Sequence, residues 1–428
     1  MDAVVSFAEH VARTTYEDLP ENAVQAAKTY ILDTLGVGIA GSAGPWMDEL
    51  IEVQGLSGKG DDARVWGRGD RLPAPAAALC NGYQIHNSEF DCVHEAAVLH
   101  PMTVVLAATL AFAEREGKVT GKDLITAMVL GVDVACHLGV AVTSAMKFFR
   151  PATAGAMAAV AGIGKCRGFE AERLVNAFSI AYGQLCGNMQ AHTEGSILLG
   201  MQIGFNARNA IVACDMAARG LEGPKQVFEG QFGFLNLIEG AYDLKPVMAD
   251  LGRVWRITEV AHKPFPSGRA THGVVDAVMT LKREHGFEPA DIERVEAWIP
   301  PLTHHLVGRP IQDDMAVNYA RLCTAYVAAR ALLRDFVGVE DFAPEVLNDA
   351  ETLALGRRFE IRIDDNPDPN ALTPIRVEMA LKDGSRHEIT IDTVYGNPAK
   401  PMTLEAHLAK FRRNWEAGAR PLSPANAE

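Results

Sequence analysis

Two hydrophobic periods divide this chain, and the first constrains its fold most. Up to about residue 250, apolar side chains recur at three- and four-residue intervals, the spacing of a helix with one buried face. Val4, Phe7, Ala8 and Val11 form one such stripe. Ala23, Ala26, Ala27, Tyr30, Ile31 and Leu35 form another, behind a Pro20-Glu21 start. The same period predicts helices near 74–86, 101–116, 122–144, 152–167, 170–186 and 196–219. Many core-facing positions are Ala or Gly, so close helix packing is expected.

From about residue 254 the period falls to two. Strands are expected at VWRITEV (254–260), IERVEAWIP (292–300), FEIRIDD (359–365), IRVEMAL (375–381) and HEITIDT (387–393). Lys382-Asp383-Gly384-Ser385 is a hairpin turn between the last two. Helical patterns intervene at 271–285 and 317–335, which makes an α/β or α+β module of roughly 140 residues. Thr403 then caps a last helix running to about Ala417.

With 428 residues, 48% of them hydrophobic, the chain has material for a large core without disulfide or metal staples. Its seven cysteines are scattered and no CxxC occurs, which argues against a disulfide framework or a zinc site and suits a reducing cytoplasm. A net charge of −14 lacks the broad basic surface of a nucleic-acid binder, while small anions remain compatible with a local basic pocket. Asp2 and Glu9 stand where a signal peptide carries positive charge, and the apolar run Met102–Ala113 is too short to span a bilayer. The expectation is a soluble, cytoplasmic protein with neither nucleic acid nor membrane as partner.

Two motifs mislead. Gly36-Val37-Gly38-Ile39-Ala40-Gly41 matches a dinucleotide-binding pattern, but it ends a helical run instead of linking a strand to a helix. Close helix packing explains it better. His94-Glu95 with His100 has the wrong spacing for two ligands on one helix face, so no metal is expected.

Three segments gather histidine, acid and base in apolar surroundings. The loop from His86 to Pro101 carries Glu89, Asp91, His94, Glu95 and His100 between two apolar helices, where a rigid scaffold could present them. His262-Lys263-Pro264-Phe265-Pro266-Ser267-Gly268-Arg269-Ala270-Thr271-His272 brings Lys263, Arg269 and His272 to a helix start. Positive groups there are better explained if a substrate carboxylate joins them. Arg150, ahead of Pro151, could clamp a second carboxylate. Tyr319 and Arg321 form a weaker candidate pair, and His192 a further one. There is no nucleophile elbow and no phosphate loop. The set suits proton transfer beside a carboxylate, with cations stabilising the developing charge.

At these segments the sequence resembles the MmgE/PrpD family, whose members include 2-methylcitrate dehydratase, cis-aconitate decarboxylase and iminodisuccinate epimerase. The likeness runs through Leu32-Asp33-Thr34-Leu35-Gly36, Asn81-Gly82 to His100-Pro101, and Glu194-Gly195-Ser196. It continues at Gly223-Pro224, Phe228-Glu229-Gly230, Gly233-Phe234, Lys263-Pro264-Phe265-Pro266 to Thr271-His272, and Gly396-Asn397-Pro398. The resemblance implies a two-domain fold. A large all-α helical domain would be built from 1–253 and 397–428, with a smaller α/β (α+β) domain, 254–396, inserted before the C-terminal helix. It also implies a homodimer and a cofactor-free active site between the domains. His100 and His272 fall on catalytic histidines, Asp91 in the acidic loop motif and Lys263 in the lysine-proline segment.

The chain departs from the dehydratase and decarboxylase branch. That branch reads Asp-Phe-Asp-Asp-Thr where Glu89-Phe90-Asp91-Cys92-Val93 stand here, and a histidine where Arg150 stands. Its basic Lys-Arg-Leu-His stretch is replaced by Leu199-Gly200-Met201-Gln202. The segments Trp298–His305 and Asn318–Arg321 are more similar to the epimerase branch. The expected enzyme abstracts a proton α to a carboxylate of a small di- or polycarboxylate, with His100, His272, Lys263 and Asp91 as catalytic groups. Arg150, Arg269, Glu89, His94, Tyr319 and Arg321 are the expected substrate-binding groups. A dehydratase-type lyase comes first, an epimerase of an iminodisuccinate-like substrate second, and a non-catalytic carboxylate binder third.

Overall fold

The computed structural model describes residues 2–56, 58–420 and 422–426. The helical part contains α1 (Ala3–Arg13), α2 (Glu21–Gly41), α3 (Met47–Leu56), α4 (Ala74–His86), α5 (Met102–Glu116), α6 (Gly121–Val140), α7 (Arg150–Cys166), α8 (Ala171–Tyr182), the single turn α9 (Gln190–Thr193), α10 (Leu198–Ala218) and α11 (Leu244–Asp250). A two-residue antiparallel hairpin, β1 (Ala63–Arg64) and β2 (Arg71–Leu72), precedes α4. One apolar core joins these helices.

Small residues bring the central helices together, as the alanine and glycine pattern predicts. A Cβ on Gly204 of α10 would stand 2.3 Å from the Leu79 carbonyl of α4, and one on Gly82 would stand 3.0 Å from the Gly204 Cα. The GxGxxG stretch behaves likewise. It lies within and ends α2, where Gly36 faces Phe411, Gly38 faces Trp66 and Gly41 abuts the α4 backbone. Among the described residues, α6 is the one helix long and apolar enough to cross a membrane, and it is mostly buried inside the protein. Asp133 on α6 is fully buried as well.

The smaller part contains α12 (His272–His285), β3 (Ile292–Ile299), α13 (Pro301–Val307), α14 (Val317–Arg321), α15 (Thr324–Arg334), α16 (Ala350–Gly356), β4 (Phe359–Ile363), β5 (Ile375–Leu381) and β6 (Arg386–Ile391). The sheet order is β4-β3-β5-β6, with β3 and β4 parallel and the other pairs antiparallel. Ile375, Val377, Met379 and Leu381 alternate into the second core, while Arg376 and Glu378 take the opposite face. α12 and α15 contribute Val274, Val278, Tyr326 and Leu332 to that core. The last helix, α17 (Leu404–Glu416), is capped by Thr403 and packs on α2.

One expected strand is absent. VWRITEV forms a 3₁₀ turn, Arg256–Glu259, on the helical part. Ile257 and Val260, three residues apart, enter the helical core. The Arg256 amide donates to Asp133 Oδ1 at 2.8 Å, and its guanidinium contacts Asp250 and Glu259. The alternating pattern had no neighbouring strand to pair with, and side-chain carboxylates took the backbone and guanidinium donors instead.

Candidate active site

The acidic loop is set by its two ends. His86 is the last residue of α4, and His100-Pro101 leads into α5. In between, the chain turns back on itself at His94 and Leu99, and Val93 pairs with Ala261 through two backbone hydrogen bonds of 3.0 and 2.7 Å. That pairing lays the loop along the segment that carries Lys263. Glu89 adopts a left-handed φ of 54°, a conformation that costs a non-glycine residue energy and needs support from its surroundings.

The result is a buried charge cluster. His100 Nδ1 lies 2.8 Å from Asp91 Oδ2, and His86 Nδ1 approaches the same carboxylate at 3.1 Å. The two imidazole rings meet edge-on at 4.8 Å. Lys263 donates to the Glu89 side chain and to the Glu89 carbonyl, each at 3.0 Å. His86 Nε2 lies 3.3 Å from the other Glu89 oxygen. His86 was not singled out from sequence. Its signal was there, in a histidine one helix end away from Glu89 and Asp91.

Burial opposes every charge here, and the neighbours decide the balance. Burial alone would raise the Asp91 carboxyl, but His100, His86 and Lys263 together hold it well below the carboxylate range. Glu89 is likewise opposed by burial yet brought from 4.5 to about 2 by Lys263, His86 and His100. Burial works against the His86 imidazolium, and Asp91 and Glu89 outweigh it and raise its pKa. For His100, burial wins and lowers the pKa, with Asp91 opposing and Lys263 and His86 assisting. One imidazole is thus held toward its charged form and the other toward its neutral form, the division of labour an acid–base pair requires.

Two clefts open on this cluster. The first, of about 580 Å³, is lined by Glu89, His100, Phe149, His192, Arg269 and Leu322, among others. The second, of about 900 Å³, is lined by His86, Asn87, Glu89, Ser196, Asn318 and Arg321. Glu89 belongs to both. Burial, followed by Arg309, lowers His192 to about 4, which keeps that ring neutral.

Several expected binding groups sit elsewhere. Arg150 is 1% exposed and its guanidinium faces inward. It donates to both Glu239 oxygens at 3.0–3.1 Å and to the Ala97 carbonyl at 2.9 Å. It lines neither cleft, so it secures the turn before His100 instead of offering a carboxylate clamp. Arg269 touches the first cleft, but its donors go to Glu95 Oε1 at 2.7 Å and to the carbonyls of His262, Tyr395 and Val394. It pins these segments together, with four of its five N–H groups engaged by protein acceptors. His94 bridges Glu259 at 3.0 Å and the Ala97 amide at 3.1 Å, away from both clefts. The Tyr319 hydroxyl donates to the Pro310 carbonyl at 2.9 Å under the Arg309 guanidinium, also outside them.

Arg321 does line the second cleft. It donates to the Asn87 carbonyl, its Nε is buried without a partner, and no carboxylate pairs with it among the described residues. Burial lowers it to about 10, with Glu89 opposing. His272 opens α12 and is fully buried against the Phe265 ring. Both its nitrogens lack partners, and it lines neither cleft. Burial, with Arg269 and Lys263, holds it well below 6.5, hence neutral.

Among the described residues, two sets of side chains have metal-ligand spacing: His86, Glu89 and His100, and also Asp33, His262 and His407. In each, a lysine already contacts the carboxylate, Lys263 at 3.0 Å and Lys410 at 2.8 Å. Each carboxylate is thus already paired with one of the protein's own ammonium groups.

Residues 5–247 match the MmgE/PrpD N-terminal domain, and residues 265–421 match the MmgE/PrpD C-terminal domain. The cis-aconitate decarboxylase of Homo sapiens is 30% identical over 427 residues, covering 96% of this chain and 87% of its own length. Those of Mus musculus and of Aspergillus terreus (strain NIH 2624 / FGSC A1156) are 29% and 28% identical, each covering 86% of its own length. With both of its domains matched in order over nearly the full length, the chain belongs to the MmgE/PrpD family.

Proposed function

We propose that this protein is a lyase acting on a small di- or polycarboxylate, with His100 as the base that removes a proton α to a carboxylate. The observation that carries this reading is the 2.8 Å contact between His100 Nδ1 and Asp91 Oδ2 at the edge of a cleft. An ionised Asp91 places the proton on Nδ1 and leaves the Nε2 lone pair for the substrate. The carbanion formed has enolate character, and its charge develops beside the Lys263 ammonium and the His86 imidazolium. A β-hydroxyl then departs with a proton from His86, leaving a carbon–carbon double bond and water. Arg321 anchors a second carboxylate of the substrate through charge-assisted hydrogen bonds. The relatives named cis-aconitate decarboxylase support a polycarboxylate substrate.

One observation favours epimerisation as the second reading. Leu199 and Gly200 line the Arg321 cleft where the dehydratase branch carries basic residues, so fewer acids face a leaving group there. Returning the proton to the opposite face then completes the reaction, with neutral His272 as the second proton-transfer group. A binder without turnover is the third reading. The family resemblance supports a homodimer and a reaction without cofactor. Seven cysteines, none of them in a disulfide, support a reducing cytoplasm.

The test is proton NMR of the protein in D₂O with citrate, 2-methylcitrate, cis-aconitate, tartrate and aspartate-derived imino acids. A gained or lost vinyl signal is the expected result. Deuterium at an α-carbon without net product selects the epimerase. Thermal-shift binding with no exchange under any condition overturns both enzymatic readings.

A further inference from the structure

Behind the acidic loop lies a second buried polar group that lines neither cleft. Asp33 comes from α2, His407 and Lys410 from α17, and His262 from the segment ahead of Lys263. Asp33 and Lys410 are each about 1–2% exposed. Lys410 Nζ lies 2.8 Å from Asp33 Oδ1, donates to the Phe90 carbonyl at 3.0 Å, and sits 4.1 Å above the Phe90 ring. Phe90 is the residue between Glu89 and Asp91. On the other side, His262 stacks on Tyr30 of α2 at 4.6 Å and meets the His407 ring edge-on at 4.9 Å. His262 is the residue before Lys263. The chain neighbours of both partners in the Lys263–Glu89 pair are therefore held by the same two helices, one from each end of the sequence.

Stability is a poor reason for this arrangement, because a buried ion pair seldom outperforms apolar packing once desolvation is counted. Positioning is a better one. Glu89 is held at positive φ, and Asp91 must contact two imidazoles within about 3 Å to set them apart. An ammonium fixed by Asp33 and gripping the intervening carbonyl restricts both acids at once. We propose that Lys410, fixed by Asp33, is a positioning residue that acts through the Phe90 carbonyl to hold Glu89 and Asp91 against Lys263, His86 and His100. Its catalytic meaning rests on the function proposed above, while its geometric content does not.

Lys410→Met alone strands the Asp33 charge, so the informative protein is the double variant Asp33→Asn/Lys410→Met, compared with wild type and with Lys410→Arg. The first readout is an NMR titration of the full-length protein labelled on histidine, with His86→Asn and His100→Asn to assign the two signals. In the double variant, His86 should titrate lower and His100 higher than in wild type, each by about one pH unit, as the loop loosens. Lys410→Arg should retain most of the wild-type separation. With a substrate in hand, kcat per mole of folded protein, counted from the histidine signals, should fall about tenfold with KM within about twofold. A folded double variant in which His86 and His100 titrate as in wild type overturns the proposal. If the midpoints move while the wild-type protein transforms no carboxylate, the functional reading fails and the positioning role stands.

Discussion

His100 and His86 share one carboxylate: their Nδ1 atoms lie 2.8 and 3.1 Å from the same Asp91 oxygen, Oδ2. An aspartate between two imidazoles cannot serve both alike. Glu89 lies beside His86 at 3.3 Å and helps to raise it, whereas burial and Lys263 lower His100. The asymmetry of one acidic neighbour makes two chemically equal rings different.

Asp91→Asn should leave the fold intact and remove the tautomer control on His100. The amide favours the wrong ring nitrogen, so kcat should fall by on the order of 10³-fold or more. In the wild-type protein the acid limb of kcat/KM should lie below pH 6.5, because the His100 pKa is lowered and the base is its neutral form. Turnover measured from pH 4 to 8 checks both statements, and an acid limb above 6.5 assigns the base elsewhere.

Lys263→Met should destabilise the protein by about 3–5 kcal/mol, since it leaves Glu89 charged and buried. Adding Glu89→Gln should recover most of that loss. The sign of the pH dependence follows from Glu89 itself, whose pKa falls from 4.5 to about 2 on folding. Its contribution is complete above pH 4.5 and is lost as pH falls toward 2. Urea unfolding between pH 2 and 6 should show that slope in wild type and a flatter curve in Lys263→Met.

Two of the arginines expected to bind substrate should separate by experiment. Arg321→Met should weaken carboxylate binding about tenfold to a hundredfold, while the stranded Asn87 carbonyl costs only about 1–3 kcal/mol of unfolding free energy. Arg150→Met should do the reverse, because it strands the buried Glu239 carboxylate and costs about 3–5 kcal/mol. Isothermal binding and chemical denaturation on both variants decide the matter. An Arg150→Met protein that is stable but fails to bind restores the clamp reading.

Gly204→Ala should cost about 2 kcal/mol or more, because its methyl would meet the Leu79 carbonyl at 2.3 Å and force α4 away from α10. α4 ends at His86, so the same shift should move the His86 titration. Gly55→Ala, where nothing lies within 4 Å of the added methyl, is the control in thermal unfolding.

Local residue order was enough to place the elements and the chemical inventory. Helical and alternating periods depend on near neighbours, so α4, α5, α10, β3, β5 and β6 could be read within a few residues. Loop residues such as Glu89, Asp91 and His100 stood out because packing does not call for them. Partnership was decided by tertiary structure. VWRITEV lost its strand because no neighbouring strand lay beside it. Arg150 and Arg269 became struts because Glu239 and Glu95, far away in sequence, reached their guanidinium groups first. His86 entered the charge cluster because the Val93–Ala261 pairing folds the acidic loop along the Lys263 segment. A side chain's charge is written in the sequence, but whether it meets a ligand or an internal counter-charge depends on which distant segment packs within 3 Å of it.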